Sequence, residues 1–435
     1  MQGALELDFF SSIEERMYLC VDLKSFYASV ECVDRGLDPL KADLVVADPE
    51  RGEMTICLAV SPALKAKGVR NRCRIFDIPA HLHYMMAAPR MQRYVDVSAD
   101  IYEIYLKYVS PEDIHVYSID ECFLDITSYL ALYGCTARQM ARQLMHEVLQ
   151  ATGIRATCGI GTNLYLAKVA LDITAKRAPD FIGELNEESY RRKLWQHRPL
   201  TDFWQVGPGI SRRLESCGIT TMEGIAHADE ERLYRLLGIN AELLIDHAWG
   251  IETTTIRDIR SYQSSTQCLC RGQVLPFDYP FEKGLLIIKE MMDRLCLELV
   301  EKSLVSSSVT LYVGYSGACG PMDSAHGTTS VTKPSNADAV WVPAIERLYQ
   351  QIVRRDVPVR RLTLCCNDIH SEDLLQFSLL DADSEELQRN RKLQKALSGI
   401  HLRYGRNAVL KGTNYEEGAT ARERNHQIGG HRSGV

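Results

Sequence analysis

Asp22 closes an apolar run, Tyr18-Leu19-Cys20-Val21, and a second acidic pair, Asp120-Glu121, follows Tyr117-Ser118-Ile119. A carboxylate placed straight after a buried run sits at the lip of a core, where desolvating its charge is costly unless a partner compensates. A divalent cation is such a partner. Mg2+ takes a few carboxylate oxygens and completes its shell with water and substrate phosphates. Two such ions about 4 Å apart stabilise both the attacking and the leaving oxygen of an in-line phosphoryl transfer. Any one of these acids alone reads as a solvated residue at a strand end or hairpin tip. Their combination points to metal-assisted phosphoryl chemistry.

Two further clusters suit anions. Lys65, Lys67, Arg70, Arg72 and Arg74 follow one another with no acid among them, although a charge run is usually a solvated face. Phe203-Trp204-Gln205-Val206-Gly207-Pro208-Gly209-Ile210, with Leu214 and Gly218-Ile219 behind it, reads as a helix–hairpin–helix. Gly207 and Gly209 let the backbone approach a phosphate closely, and the next helix offers its N-terminal amides. Such contacts position a nucleic acid without reading its sequence. A lone G-x-G is also just a helix-linking turn.

The elements that must hold these residues alternate. Residues 17–22 read as a short buried strand, after which Ser25 can cap a helix through Phe26, Tyr27, Val30 and Val33 that stops at Gly36. A pair of strands is expected from Ile114 to Ile126, with residues 118–121 near its tip. Thr136 and Gln139 fit a capping box ahead of an amphipathic helix ended by Gly153. Residues 155–161 read as a strand, and Thr162 opens a helix to about Ala175. This is an α+β pattern, helices on one face of a mainly antiparallel sheet. The segment 199–258 reads as several short helices. A second α+β unit follows: strand 266–275, helix 281–302, strand 308–315, a Gly/Ser/Thr-rich stretch, helix 338–355 and strand 359–366. A polar helix over 384–398 and an irregular basic tail close the chain.

At roughly 150 residues per domain, the 435 residues suggest about three domains. Hydrophobic residues at 46% and charged residues at 25% exclude a disordered chain. No apolar stretch approaches the roughly 18 residues of a membrane span, and the acidic N-terminus lacks the pattern of a secretory signal, so a cytoplasmic protein is expected. The 14 cysteines show no C-x-x-C spacing. They are expected to be reduced thiols, many filling core positions. The net charge of −7 argues, taken alone, against a polyanion partner. Its distribution argues differently. Residues 1–50 hold four basic against eleven acidic side chains, whereas Leu387 to Val435 hold ten basic against three acidic.

Val21-Asp22-Leu23-Lys24-Ser25-Phe26-Tyr27-Ala28-Ser29-Val30-Glu31 and Tyr117-Ser118-Ile119-Asp120-Glu121-Cys122-Phe123-Leu124-Asp125 resemble the two signature motifs of the Y-family (DinB/UmuC) translesion DNA polymerases, and most closely the UmuC-like branch associated with UV-damage repair. The resemblance covers about 17 to 430. It implies a right-hand α+β layout: palm in 1–29 and 79–198 with a ferredoxin-like antiparallel sheet, fingers in 30–78, and a helical thumb with the helix–hairpin–helix in 199–258. An α+β little finger in 259–370 and a clamp-binding segment with basic tail in 371–435 complete it. The implied activity is DNA-directed DNA synthesis past damaged bases, without a proofreading exonuclease, within the DNA-damage (SOS) response.

By that resemblance Asp22 and Asp120 ligate two Mg2+ ions (Mn2+ being a substitute), Glu121 holds the catalytic one and the Leu23 carbonyl the nucleotide's. Tyr27 matches a steric gate whose ring excludes a ribose 2′-hydroxyl, and Phe26 beside it matches the other member of an aromatic pair while also fitting a core position. Lys65 and Lys176 match lysines that meet the dNTP triphosphate. Pro62 and Lys65 depart from the Tyr-x-x-Arg form of the DinB branch, and a lysine lacks the arginine fork. Gln376-Phe377-Ser378-Leu379-Leu380 resembles peptides that dock on the bacterial β sliding clamp, one amide and several apolar groups suiting a groove. The implied partners are primer–template DNA, dNTPs, the clamp, and UmuD-like or recombinase accessory proteins; no membrane. Two other readings compete. A catalytically inactive DNA- and clamp-binding adaptor is opposed by the intact Asp22, Asp120 and Glu121. A two-metal nucleotide cyclase would need neither the helix–hairpin–helix nor the clamp peptide.

Overall fold

The computed structural model describes residues 16–264, 268–317, 320, 322–372 and 384–434. Two compact units divide after Tyr262. The residues Gln376, Phe377, Ser378, Leu379 and Leu380 lie outside the described residues.

The first unit is built on β1 (Tyr18–Leu23), followed by α1 (Phe26–Val33), β2 (Leu44–Val46), β3 (Ala59–Val60), α2 (Pro62–Ala66), β4 (Met85–Ala87) and α3 (Met91–Leu106). After these come β5 (Ile114–Val116), β6 (Glu121–Asp125), α4 (Thr127–Tyr133), α5 (Ala137–Thr152), β7 (Ala156–Gly161), α6 (Leu164–Val169), β8 (Ile182–Leu185) and α7 (Glu187–Leu194). The principal sheet has the order β5-β6-β1-β7-β8, antiparallel except for the parallel β7–β8 pair. Its central strand is covered on both faces, which is why Tyr18 to Val21 are all buried and carry no charged side chain. Tyr18, Cys20 and Phe123 pack on Leu164, Ala167 and Leu171, while α5 packs against β7. A second, small sheet runs β3-β2-β4.

Close helix–strand packing depends on glycine here. A Cβ at Gly159 would stand 2.0 Å from the Ala167 carbonyl oxygen, and one at Gly161 2.2 Å from the Ala167 nitrogen. Both glycines therefore let α6 sink onto β7. The helix is capped by the Asn163 side chain, not Thr162, and continues as a π-helical segment, Ala170–Thr174. Ser25, expected to cap α1, sits at the N-cap position with φ of 49° and makes no side-chain cap bond. The Thr136/Gln139 capping box and the Gly153 end of α5 form as expected.

Five helices complete this unit: α8 (Pro208–Glu215), α9 (Met222–Ala226), α10 (Glu230–Leu237), α11 (Asn240–Trp249) and α12 (Ile256–Ser261). Leu214, Ile219, Met222, Leu233 and Leu244 bury against Tyr165, Leu166 and Tyr190, so the short helices share one core with α6 and α7.

The second unit comprises β9 (Leu269–Tyr279), α13 (Phe281–Glu301), β10 (Leu304–Tyr315), β11 (Ala325–Ser335), α14 (Asp338–Ile352), β12 (Val359–Asn367), β13 (His370–Ser371) and α15 (Ser384–Tyr404). Its main sheet runs β11-β10-β12-β9, with α13 and α14 over one face. The Gly/Ser/Thr-rich stretch contains β11, a strand that hydrophobic alternation did not reveal. Its outward residues are His326, Thr328, Ser330 and Thr332, and its inward ones are only partly buried.

Two expectations need correction. Cys270 and Cys365, register partners on β9 and β12, form a disulfide. Sequence spacing could not show it, because sheet pairing joins positions 95 residues apart. The basic tail is not free. Lys411 pairs with Asp293 and Asp338, both at 2.7 Å. Glu290 of α13 accepts from the Thr420 and Ala421 amides, at 2.9 and 3.2 Å, and from Asn414. Several tail cations thus serve the unit's own packing.

Candidate active site

The β1–β6 ladder places Asp22 directly opposite Glu121. Asp120 ends the tight connection from β5. Its carbonyl accepts from the Leu23 amide at 2.9 Å, and its Oδ1 accepts from the Ser118 hydroxyl at 2.6 Å. The Glu121 carbonyl accepts from the Tyr117 and Ser118 amides, both at 3.0 Å, and the Ser98 hydroxyl donates to the Ile119 carbonyl at 2.6 Å. The hairpin is thereby fixed, and three carboxylates from two strands share one sheet end.

Their mutual repulsion is visible in the charges. Burial, then Asp120 and Glu121, push the Asp22 carboxyl up to about 7. Glu121 is 9% exposed and receives the Cys20 thiol at 3.2 Å and the Lys168 ammonium at 2.9 Å on the same Oε1. Against the cost of burial, Cys20, Asp172 and Glu121 hold Lys168 above the ordinary lysine range. Lys168 also pairs with Asp172 at 2.9 Å, and Asp172 with Lys176 at 3.2 Å. Lys168 was not singled out as a site residue in the sequence.

The donor set suits Mg2+. Among the described residues no three His, Cys, Asp or Glu side chains stand close enough together to hold a metal ion by themselves. Among the described residues Asp22 and Asp120 have no cationic partner at ion-pair distance, whereas Glu121 has Lys168. Mg2+ binds through one or two carboxylates together with substrate phosphates, so an incomplete protein shell is what it uses. Leu23, the last residue of β1, lies between Asp22 and the Lys24 amide, which donates to the Arg155 carbonyl at 2.9 Å.

Cations border the same space. Solvent still touches Lys65, yet the protein around its ammonium lowers it, opposed by Asp22 and Asp120 and assisted by Lys176 and Lys24. Lys65 and Lys176 therefore share the electrostatic environment of the carboxylates. Tyr27 stacks on Tyr94, with ring centres 4.4 Å apart and planes 15° from parallel. The Tyr94 hydroxyl donates to Glu31 at 2.8 Å, and Arg90 grips Glu31 at 2.9 and 3.0 Å. This support for Tyr27 was missed because its members are scattered in sequence. Phe26 is a correction: at 2% exposure it is a core residue with no surface for a nucleotide.

Gly207 is the N-cap of α8 and Gly209 lies in its first turn. A Cβ at either would meet nothing within 4 Å, so the approach to both is open. Just before them, the Trp204 indole donates to the Tyr117 hydroxyl at 3.2 Å, joining this loop to the acidic hairpin. A cavity of about 650 Å3 lies elsewhere, lined by Arg138, Gly183, Glu184 and Arg192, and contains none of the carboxylates. Asp120 and Glu121, with Leu23, border a crevice of only about 20 Å3, which Asp22 does not line.

Known proteins are similar to this chain in sequence and fold. The impB/mucB/samB family model matches residues 21–172, and the model of that family's C-terminal domain matches 269–379. The putative UV-damage repair protein UvrX of Bacillus subtilis (strain 168) is 30% identical over 431 residues, covering 98% of this chain and 99% of that protein. DNA polymerase IV 2 of the same organism is 29% identical, over 96% of this chain and 99% of that protein. A Y-family DNA polymerase chimera of Dbh and Dpo4 shares the fold, with a TM-score of 0.64 at 20% identity, over 82% of this chain and 99% of that one. Two matched regions, near-complete coverage of a relative at 30% identity and the shared fold agree: the chain belongs to the impB/mucB/samB family, in the Y-family polymerase fold.

Proposed function

We propose that the protein is a template-directed DNA polymerase that extends primers past damaged bases. The observation that carries this reading is Asp22 facing Glu121 in register, with Asp120 beside them and Lys65 and Lys176 near the same carboxylates. In it, Asp22, Asp120, Glu121 and the Leu23 carbonyl hold two Mg2+ ions, which supply charge neutralisation of the reacting phosphate. Phosphoryl transfer leaves little covalent work for a protein, whose task is positioning and charge stabilisation. Lys65 and Lys176 bind the triphosphate. The Tyr27 ring, held flat by Tyr94, stands under the sugar and excludes a 2′-hydroxyl. The amides at Gly207 and Gly209 receive a phosphate of the duplex.

The segments assigned above to palm, fingers, thumb and little finger are part of the same proposal. So is docking of residues 376–380 on a sliding clamp. A chain truncated after Leu374 should retain distributive synthesis and lose clamp stimulation; retained stimulation would remove the clamp peptide from the account. No described helix is long and apolar enough to cross a membrane. An inactive DNA-binding adaptor is the alternative, and it has no need of unpaired carboxylates at Asp22 and Asp120. Primer extension distinguishes the two. Asp120→Ala or Glu121→Ala should lower extension by at least about a thousandfold, roughly 4 kcal/mol of transition-state stabilisation, while DNA binding persists. Extension at the wild-type rate by either variant contradicts the assignment.

A further inference from the structure

One chain of ion pairs runs through the site and is not explained by metal or nucleotide binding taken separately. Glu121 Oε1 meets Lys168 at 2.9 Å; Lys168 meets Asp172 Oδ2 at 2.9 Å; Lys176 meets Asp172 Oδ1 at 3.2 Å. The two lysines thus occupy different oxygens of one carboxylate. Lys168 is 10% exposed and cannot turn to solvent, whereas Lys176 is 58% exposed and can. Lys168 lies on α6, Asp172 in the π-helical segment after it and Lys176 in the 3-10 turn Ala175–Arg177 that follows; Gly159 and Gly161 seat α6 and the start of the π-helical segment against β7. π-Helical turns interrupt regular helices mostly where function requires a displaced side chain.

We propose that Asp172 is a positioning residue that couples the metal carboxylate Glu121 to the triphosphate lysine Lys176. The inference rests on the polymerase reading. Without metal, Lys168 divides its charge between Glu121 and Asp172, and Asp172 keeps a hold on Lys176. With a divalent cation held at Glu121, the Lys168 ammonium would lose that carboxylate to it and pair with Asp172 alone. Asp172, its charge now satisfied, releases Lys176 to the triphosphate. Metal occupancy and triphosphate binding then favour each other, and the coupling must be reciprocal.

The test measures binding of inorganic triphosphate to the full-length protein with divalent metal chelated. Asp172→Asn, an isostere at a position about a quarter exposed, should bind about fivefold tighter than wild type, because Lys176 is no longer held back. Removing a negative charge could strengthen anion binding by itself, so the same comparison is made in a Lys176→Met background. There the gain should vanish. Asp172→Glu, which restores the carboxylate, should return the affinity toward wild type. Equal affinity of wild type and Asp172→Asn, or a gain that persists without Lys176, overturns the coupling. Primer extension by the wild type separates this from the reading beneath it. If the wild type extends a primer and Asp172→Asn shows no gain, only the coupling fails; if the wild type extends nothing, the polymerase reading itself fails.

Discussion

Asp22, Asp120 and Glu121 form a site whose repulsion is only partly relieved by the protein: Lys168 forms a close ion pair with Glu121, and it and Lys176 offset only part of the rise at Asp22. A binding site for cations is the economical account of two buried-edge carboxylates without counterions. Tyr27 is the second residue whose surroundings define its role. Its ring is fixed by stacking on Tyr94, which hydrogen-bonds to Glu31. Tyr27→Ala should increase ribonucleotide incorporation by about tenfold or more, since the clash that excludes the 2′-hydroxyl disappears. Single-nucleotide incorporation with matched rNTP and dNTP measures this, and an unchanged sugar preference contradicts it. Tyr94→Ala should loosen discrimination by a smaller factor in the same assay. Asp22, Asp120, Glu121 and Tyr27 were legible because they stand in contiguous motifs. Lys168 and Tyr94 were not, nor was the part Glu31 plays despite its place in the first motif, because those roles come from contacts between elements tens of residues apart.

The helical elements 199–258 depend on buried polar pairs as well as on leucines. His247 is buried in α11, stacks on Tyr165 at 3.9 Å and meets Glu252 at 3.1 Å. Burial opposes the Glu252 charge, yet His247 and Thr254 hold its carboxyl down at about 2 from an ordinary 4.5. A depressed carboxylate adds stability in full above its unfolded value, and that stability is lost as the pH falls from about 4.5 toward 2. Glu252→Gln should therefore cost about 1.5–3 kcal/mol at neutral pH, the usual loss for a hydrogen bond to a charged group. The difference from wild type in melting profiles should shrink below about pH 4; a difference independent of pH contradicts the pairing. In the second unit the cross-strand bond between β9 and β12 closes a loop of 95 residues. Reduction should destabilise that unit by roughly 4–5 kcal/mol on a chain-entropy account. A Cys270→Ser/Cys365→Ser variant should be indifferent to reductant, and equal melting of the wild type with and without reductant contradicts the prediction. Capping signals at Thr136 and Gly153 made α5 legible to the residue. The polar strand β11 and the pairing of Cys270 with Cys365 were hidden, since both are decided by neighbouring strands and leave no local pattern.

At the scale of the molecule, charge is distributed by task. Acids crowd the first fifty residues, where Asp22 stands and where Glu31 and Asp34 are spent on Arg90 and Arg93. The basic run at Lys65 to Arg74 adjoins the carboxylates through Lys65. The cationic excess of the C-terminal segment, by contrast, is used partly within its own unit, where Lys411 pairs with Asp293 and Asp338 and Arg391 with Glu372. The two-unit α+β organisation was visible in the alternation of strands and helices, whereas the docking of the tail was not. The central claim is template-directed DNA synthesis at Asp22, Asp120 and Glu121, and it is tested most directly by primer extension. The purified wild type and Asp120→Ala are given Mg2+, dNTPs and a primer–template that is either undamaged or carries a lesion in the template strand. The account predicts template-directed extension by the wild type on both templates and none by the variant, which still binds the DNA. Absence of extension by the wild type, or equal extension by the variant, would contradict it.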